Sequence, residues 1–432
     1  MRRLVGLFLL VCSPALAQDA MFRGNPQHTG EYAGAGISKF TKVRWKFRTK
    51  NQVFSSPAVA GDTVYIGSSD HLMYALDRAT GDKKWEFKTE SRITSSPAVS
   101  GGVVFFSSYD GNFYAVDAAT GKEKWKFATP GERRFAATHL HGASPVAEVM
   151  PDPFDFYLSS PVVSNGAVYF GSGDTNIYAL DAATGALKWK FKTGDVVHGS
   201  PAIANGVLLV GSWDSFFYAL DAATGKEKWR FKTGEDPDIH NQVGIQSSPA
   251  VANGVVYFGC RDSNFYAVDL ATGKKLWAYP NKGSWVIASP AVSDGKVYFA
   301  TSDTGLFHAV DAKTGAELFS IDNHHWPMFS SPAVAGGFAY IGSHEGKLLA
   351  IDLKTHALAW TYETEAHKQN GAMYTKEGGL PNYEAAFFDF FYDDMMSGVQ
   401  KMMAVGTILS SPVVAGDTIY FGGADGNVYA LM

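Results

Sequence analysis

The chain has 432 residues, of which 46% are hydrophobic and 18% charged, and its formal net charge is −5. That charge balance excludes a nucleic-acid partner, which needs a basic face, while the apolar content is ample for a large core. Tyr 20, Phe 30, Trp 10 and Gly 45 favour many short strands joined by tight turns over long helices.

The first residues, "MRRLVGLFLLVCSPALAQDA", read as a secretory signal. Arg2 and Arg3 form a positive start, Leu4 to Val11 an apolar run, and Ala15-Leu16-Ala17 a small-residue cleavage site. The run is too short to span a bilayer. A mature, exported chain starting at Gln18 is expected, with a charge of about −7 once the two arginines leave. "LLVC" loosely resembles a lipoprotein cleavage box, but Val11 fits poorly before Cys12, so lipid anchoring there is not expected. Losing Cys12 leaves Cys260 alone, and a fold with one thiol is held by packing and not by a disulfide.

After a lead-in at 18–42, a phrase of about 40 residues repeats along the chain, a period that points to propellers or solenoids. Its opening, "SSP" or a variant, begins at Ser55, Ser95, Ser159, Gly199, Ser247, Ala288, Ser330 and Ser410. Its closing aromatic falls at Trp85, Trp125, Trp189, Trp229, Trp277, Phe319 and Trp360. Between them lie four short alternating runs, such as "SPAV", "TVYIGS", "FYALD" and "KWKFKT", separated by turn residues. Four short antiparallel strands make one blade. In "ALDAATGALKW" (179–189), Asp181 is placed to cap the turn, the Gly to supply positive φ, and the Trp to cover the neighbouring blade. Lysines alternating along the last strand guard an exposed edge.

These residues resemble the tryptophan-docking repeats of the pyrroloquinoline-quinone propeller family. That family includes eight-bladed quinoprotein dehydrogenases and the propeller lipoprotein of the outer-membrane β-barrel assembly machinery. The resemblance covers the mature chain from "FRGNPQHTG" onward and implies an all-β, eight-bladed propeller of four-stranded antiparallel blades. The final phrase, "SSPVVAGDTIYFGGADGNVYALM" (410–432), lacks its outer strand, while "VRWKFRTKN" (43–51) is an orphan copy of one. The expected ring, spanning 43–432 as one domain, closes when strand 43–49 pairs with the strands of 410–432.

In such a blade the second-to-third loop shares a face with the blade-to-blade connections. All the long insertions, 130–158, 234–246 and 365–409, fall in those connections and hence on one face, where binding is expected. Nine of twelve histidines map there: His71, His139, His141, His198, His240, His324, His325, His344 and His367. No recognised metal-ligand spacing surrounds them, so no metal site is expected. In the second-to-third loops the acidic position (Asp70, Asp110, Asp174, Asp214, Asp262, Asp303, Glu345, Asp425) repeats and reads as a turn cap. The residue before it varies, and Tyr109, Trp213, Arg261 and His344 are candidates to surround a ligand near the axis, with His198 and Gln246 beside them. The competing reading is an unselected surface. In the last insertion Phe387, Phe388, Phe391, Met395, Met402 and Met403 fall at roughly helical spacing, interrupted by Ser397-Gly398, which predicts two short amphipathic turns. They form either a lid over the ring or a partner-docking surface.

Two functions compete. The family's alcohol-oxidising dehydrogenases usually carry an adjacent cysteine pair over the quinone, and many use a c-type haem. This chain has neither adjacent cysteines nor "CxxCH", and no carboxylate trio stands out for calcium. The sequence therefore favours an exported, periplasmic or secreted, non-catalytic platform, expected to be monomeric, that binds other envelope proteins or a small ligand, with no cofactor. The alternative is a quinone-dependent dehydrogenase of alcohols or sugars, using pyrroloquinoline quinone and calcium.

Overall fold

The computed structural model describes residues 19–138, 140, 148–234, 244–387 and 392–432. The expected signal peptide, Cys12, His139, His141, His240, Phe388 and Phe391 lie outside them.

Alternating apolar runs of five or six residues, cut by Gly and Asp turns, form blades. Blade 1 comprises Ala58–Ala60, Thr63–Gly67, Leu72–Asp77 and Lys83–Lys88, hydrogen-bonded in that order. Six more sheets repeat this order, and the eighth runs Val43–Arg48, Asn427–Leu431, Thr418–Gly422, Val413–Ala415. The predicted clasp is therefore present, with Trp45 opposite Ala430 and Phe47 opposite Val428. The fold is an eight-bladed, four-stranded antiparallel propeller. Second and third strands are buried, whereas the outer strands alternate and keep their lysines in water.

The tryptophan works as its spacing suggests. Trp85 Nε1 donates to Ala118 O of the next blade at 2.9 Å, and its ring lies over Gly121, where a Cβ would stand 2.7 Å away. Trp45 of the clasp docks on Arg78 O in the same way. The pattern changes between blades 6 and 7, where Phe319 stacks on His356 at 4.1 Å. A ring fills the space of the docking glycine, and the docking aromatic shrinks to match.

At the axis the second serine of each "SSP" phrase offers its hydroxyl to the backbone N–H of the preceding blade. The chain of bonds runs Ser56, Ser96, Ser160, Ser200, Ser248, Ser289, Ser331, Ser411 and back to Ser56, each 2.9–3.1 Å. The lead-in crosses one mouth of this channel. Carbonyls of Ala20, Pro26, Gln27, Thr29 and Gly30 accept from the inner-strand N–H groups of Val99, Ile203, Val251, Val292 and Val334. Phe22 enters the axial space, and the buried Arg23 guanidinium donates to Pro290 O and Pro332 O. Burial lowers the Arg23 pKa to about 10 and that of His28 to about 3, so His28 sits there neutral. The lead-in also supplies what blade 8 lacks: Ile37 O accepts from Trp360 Nε1 at 2.9 Å.

Candidate functional site

The opposite mouth is covered by the insertions. In 130–158 two short strands, Ala136–Ala137 and Met150–Pro151, pair and bring down two fully buried carboxylates, Asp152 and Asp155. Asp155 meets His198 Nδ1 at 2.7 Å, and Glu132 stands 3.7 Å from His198 Nε2. Burial disfavours the imidazolium, but the two carboxylates outweigh it and push the His198 pKa up to about 9. Asp152 accepts from Arg261 Nη1 at 2.8 Å. The Arg261 guanidinium is sandwiched, 4.7 Å from the Trp213 ring and 3.9 Å from the Trp285 ring. Trp213 in turn stacks on Phe135 at 4.3 Å, and Gln246 Nε2 donates to Phe154 O.

Four residues singled out from the sequence, His198, Trp213, Gln246 and Arg261, thus come together beneath one insertion, and the anion held by Arg261 is the chain's own Asp152. Tyr109 stands at the edge of the same group: Arg92 lies over its ring at 4.0 Å, and burial, with the charges of Asp155 and Glu132, raises its pKa. His344 lies elsewhere, buried and edge-on to Phe329 at 4.4 Å. Burial lowers its pKa to about 3.

The last insertion folds as α1 (Glu365–Tyr374), two short 3-10 turns, and α2 (Tyr392–Met403). Thr364 caps α1 by accepting from His367 N. The predicted interruption at Ser397-Gly398 is absent, and α2 runs through it unbroken. Gly398 is needed there for close approach, since a Cβ would lie 2.1 Å from the Phe387 ring. Met402 and Met403 are buried, and Phe387 and Met395 pack partly buried beside them.

Between α2 and the ring is a cavity of about 730 Å³. Phe154, Trp285, Phe329 and His344 line its ring side, and Phe387, Met395, Met402 and Met403 its lid side. Its ionisable lining, apart from Tyr383 and neutral His344, is Asp303 and Glu384. Glu384 pairs with Lys376 at 2.9 Å on the surface, whereas Asp303 is exposed and has no ion pair among the described residues.

Asp303 escaped the sequence reading, which set it among the turn caps. In six blades the repeated Asp accepts from a tyrosine hydroxyl four residues on: Asp70–Tyr74, Asp110–Tyr114, Asp174–Tyr178, Asp214–Tyr218, Asp262–Tyr266 and Asp425–Tyr429. In blade 7 that place is Leu349, and in blade 6, where the loop is one residue longer, His308 takes it five residues after Asp303, paired with Phe299 as Tyr266 is with Phe258. The missing tyrosine is the signal that separates Asp303 from its counterparts.

Pyrroloquinoline quinone, a planar tricarboxylate, does not fit this lining. The cavity presents carboxylates and no Lys or Arg, and the nearby Arg261 is already paired with Asp152. Among the described residues no three His, Cys, Asp or Glu side chains gather as a metal-holding group.

A closed, axis-plugged eight-bladed ring with one face built over by insertions defines the class, a tryptophan-docked β-propeller. The chain belongs to the family described as outer membrane protein assembly factor BamB, whose model matches residues 37–150 and 150–362. BamB from Moraxella catarrhalis is similar in structure, at 17% identity and a TM-score of 0.66, covering 91% of this chain and 100% of that one. A europium-containing methanol dehydrogenase gives 16% and 0.69, covering 95% and 97%. Quinohemoprotein alcohol dehydrogenase from Comamonas testosteroni gives 16% and 0.68, covering 95% and 80%. At such identities these structures share the fold alone. No curated protein sequence matches the chain.

Proposed function

We propose that this propeller is an exported, non-catalytic platform whose insertion-bearing face binds other proteins of the cell envelope. The observation that carries this is the distribution of exposed apolar side chains. Among the described residues, Val149, Met373, Leu380 and Tyr383 are large, hydrophobic and exposed, and all four lie on the two insertions. The other four, Leu187, Leu276, Leu318 and Leu358, are scattered singly over outer strands. Apolar residues gathered on one face mark an interaction surface. The opposite mouth is closed by the lead-in. Family membership and the absent cysteine pair and haem motif support the same reading. Among the described residues no helix is long and apolar enough to cross a membrane.

The test is site-specific photo-cross-linking in cells, with the reactive residue at Met373 or Leu380 and, as control, at Thr80 on the hairpin face. Discrete protein adducts from the first two alone are expected. Adducts from Thr80 equal in number and intensity refute the assignment. Quinone-dependent dye reduction with alcohols, after addition of pyrroloquinoline quinone and Ca²⁺, refutes the non-catalytic part.

A further inference from the structure

The cavity under α2 has its own chemistry, separate from the exposed rim. We propose that it is a binding site for a small lipophilic amine, with the ammonium at Asp303 and the apolar body between the lid methionines and the ring phenylalanines. Three observations converge on that class. The volume, about 730 Å³, lies in the range of small-molecule sites. The walls are aromatic rings and thioethers, whose faces favour a cation and an apolar chain alike. Two polar groups in the lining are open to a donor: the Asp303 carboxylate, which takes one hydrogen bond from Ser302 Oγ at 2.8 Å, and a buried His344 Nε2 that has no hydrogen-bond partner among the described residues and accepts in the Nδ1–H tautomer.

Each alternative ligand class meets a penalty. An anion faces two carboxylates with no Lys or Arg in the lining. A neutral hydrocarbon leaves His344 Nε2 unpaired and desolvates Asp303 without return. An amine can donate to both acceptors and neutralise the one charge that lacks a partner.

The loop is free for this task because of the local sequence. In blades 1, 2, 4 and 5 the same aspartate is consumed by the tyrosine four residues later and by the incoming connection, as Asp214 is by Tyr218 Oη and Gly194 N. With His308 in the tyrosine's place, and turned to Glu317 instead, Asp303 stays available at the cavity mouth.

The inference rests on the reading of this face as the binding face, yet the two fail separately. Cross-linking at Met373 and Leu380 reports proteins at the rim, whereas calorimetry reports the cavity. The full mature chain is titrated at pH 7.5 with 4-phenylbutylammonium, 4-phenylbutanol and 4-phenylbutyrate. Saturable one-site binding of the amine is expected, at least tenfold tighter than the alcohol, with the carboxylate weakest. Asp303→Asn is expected to cut the amine's advantage to threefold or less. Met395→Ala is expected to weaken amine and alcohol by similar factors. Asp303 is exposed and caps no tyrosine, so its variant keeps the wild-type melting temperature. The proposal is overturned if none of the three probes saturates. It is equally overturned if the alcohol or carboxylate binds as tightly as the amine, or if the amine's advantage survives Asp303→Asn.

Discussion

Six blades fasten their second-to-third loop with an aspartate bound to a tyrosine hydroxyl, and blades 6 and 7 do not. The same two blades replace the tryptophan-on-glycine dock by Phe319 on His356. The first departure lies at the cavity, which Asp303 and His344 line, and α1 and α2 follow blade 7 directly, whereas Phe319 and His356 meet on the hairpin face. The contrast teaches how a repeat frees a residue. Where the structural partner is withdrawn, the retained acidic group no longer has a scaffold role and can face a ligand.

The largest expected effect tests the frame that the contrast presumes. Deleting residues 43–49 strips Asn427–Leu431 of its neighbour and removes Trp45 from Arg78 O. The loss should exceed the ~3–5 kcal/mol of one buried Trp-to-Ala change. A deletion protein that melts at the wild-type temperature would refute ring closure by this strand.

Next in size is Asp152→Ala, which leaves Arg261 buried between two tryptophans without its anion. Removing one partner of a buried pair costs about 3–5 kcal/mol. Urea unfolding measures it. A loss near zero would mean that the 130–158 insertion is not locked down, and that the regular sector is as open as blades 6 and 7.

The comparison itself is sharpened by a matched pair. Asp214→Ala removes the acceptor of Tyr218 Oη, Gly194 N and Phe216 N and should cost about 1.5–3 kcal/mol. Asp303→Ala, at an exposed site without a tyrosine, should stay within about 0.5 kcal/mol. Equal losses in thermal and urea melts would erase the distinction between the two kinds of blade.

The most local effect is a pH dependence confined to the insertion. The His198 pKa rises from 6.5 unfolded to about 9 folded, because Asp155 and Glu132 overcome burial. Its stabilising contribution is therefore complete below about 6.5 and lost as pH rises through about 9. Amide exchange across 150–158, corrected for intrinsic rate, should speed up between pH 7 and 9.5. Asp155→Asn should remove that acceleration, and an unchanged slope in the variant would exclude His198 as its source.

The blades were legible because the same burial pattern recurs in every phrase and each turn residue has a local job. The clasp was legible for the same reason, as Trp45 sits in a recognisable outer strand. The network of Asp152, Asp155 and Glu132 was not, since the insertion has no repeat to compare with and its partners lie far along the chain. The lead-in was equally opaque: it is held largely through backbone carbonyls, which leave no side-chain pattern. Gly398 misled the reading because a glycine that admits a neighbouring ring looks the same in sequence as one that breaks a helix. Asp303 could be separated from its counterparts only by comparing the residue that stands in the tyrosine's place on the next strand, His308.

The lead-in also sets which way the molecule faces. Ala20 is pinned to Val99, and the following residues run across the mouth opposite the lid. Any tether attached ahead of residue 19 therefore leaves from that side. A molecule held by its N-terminus, whether on a surface or on a sensor chip, turns α1, α2 and the cavity mouth outward to whatever approaches.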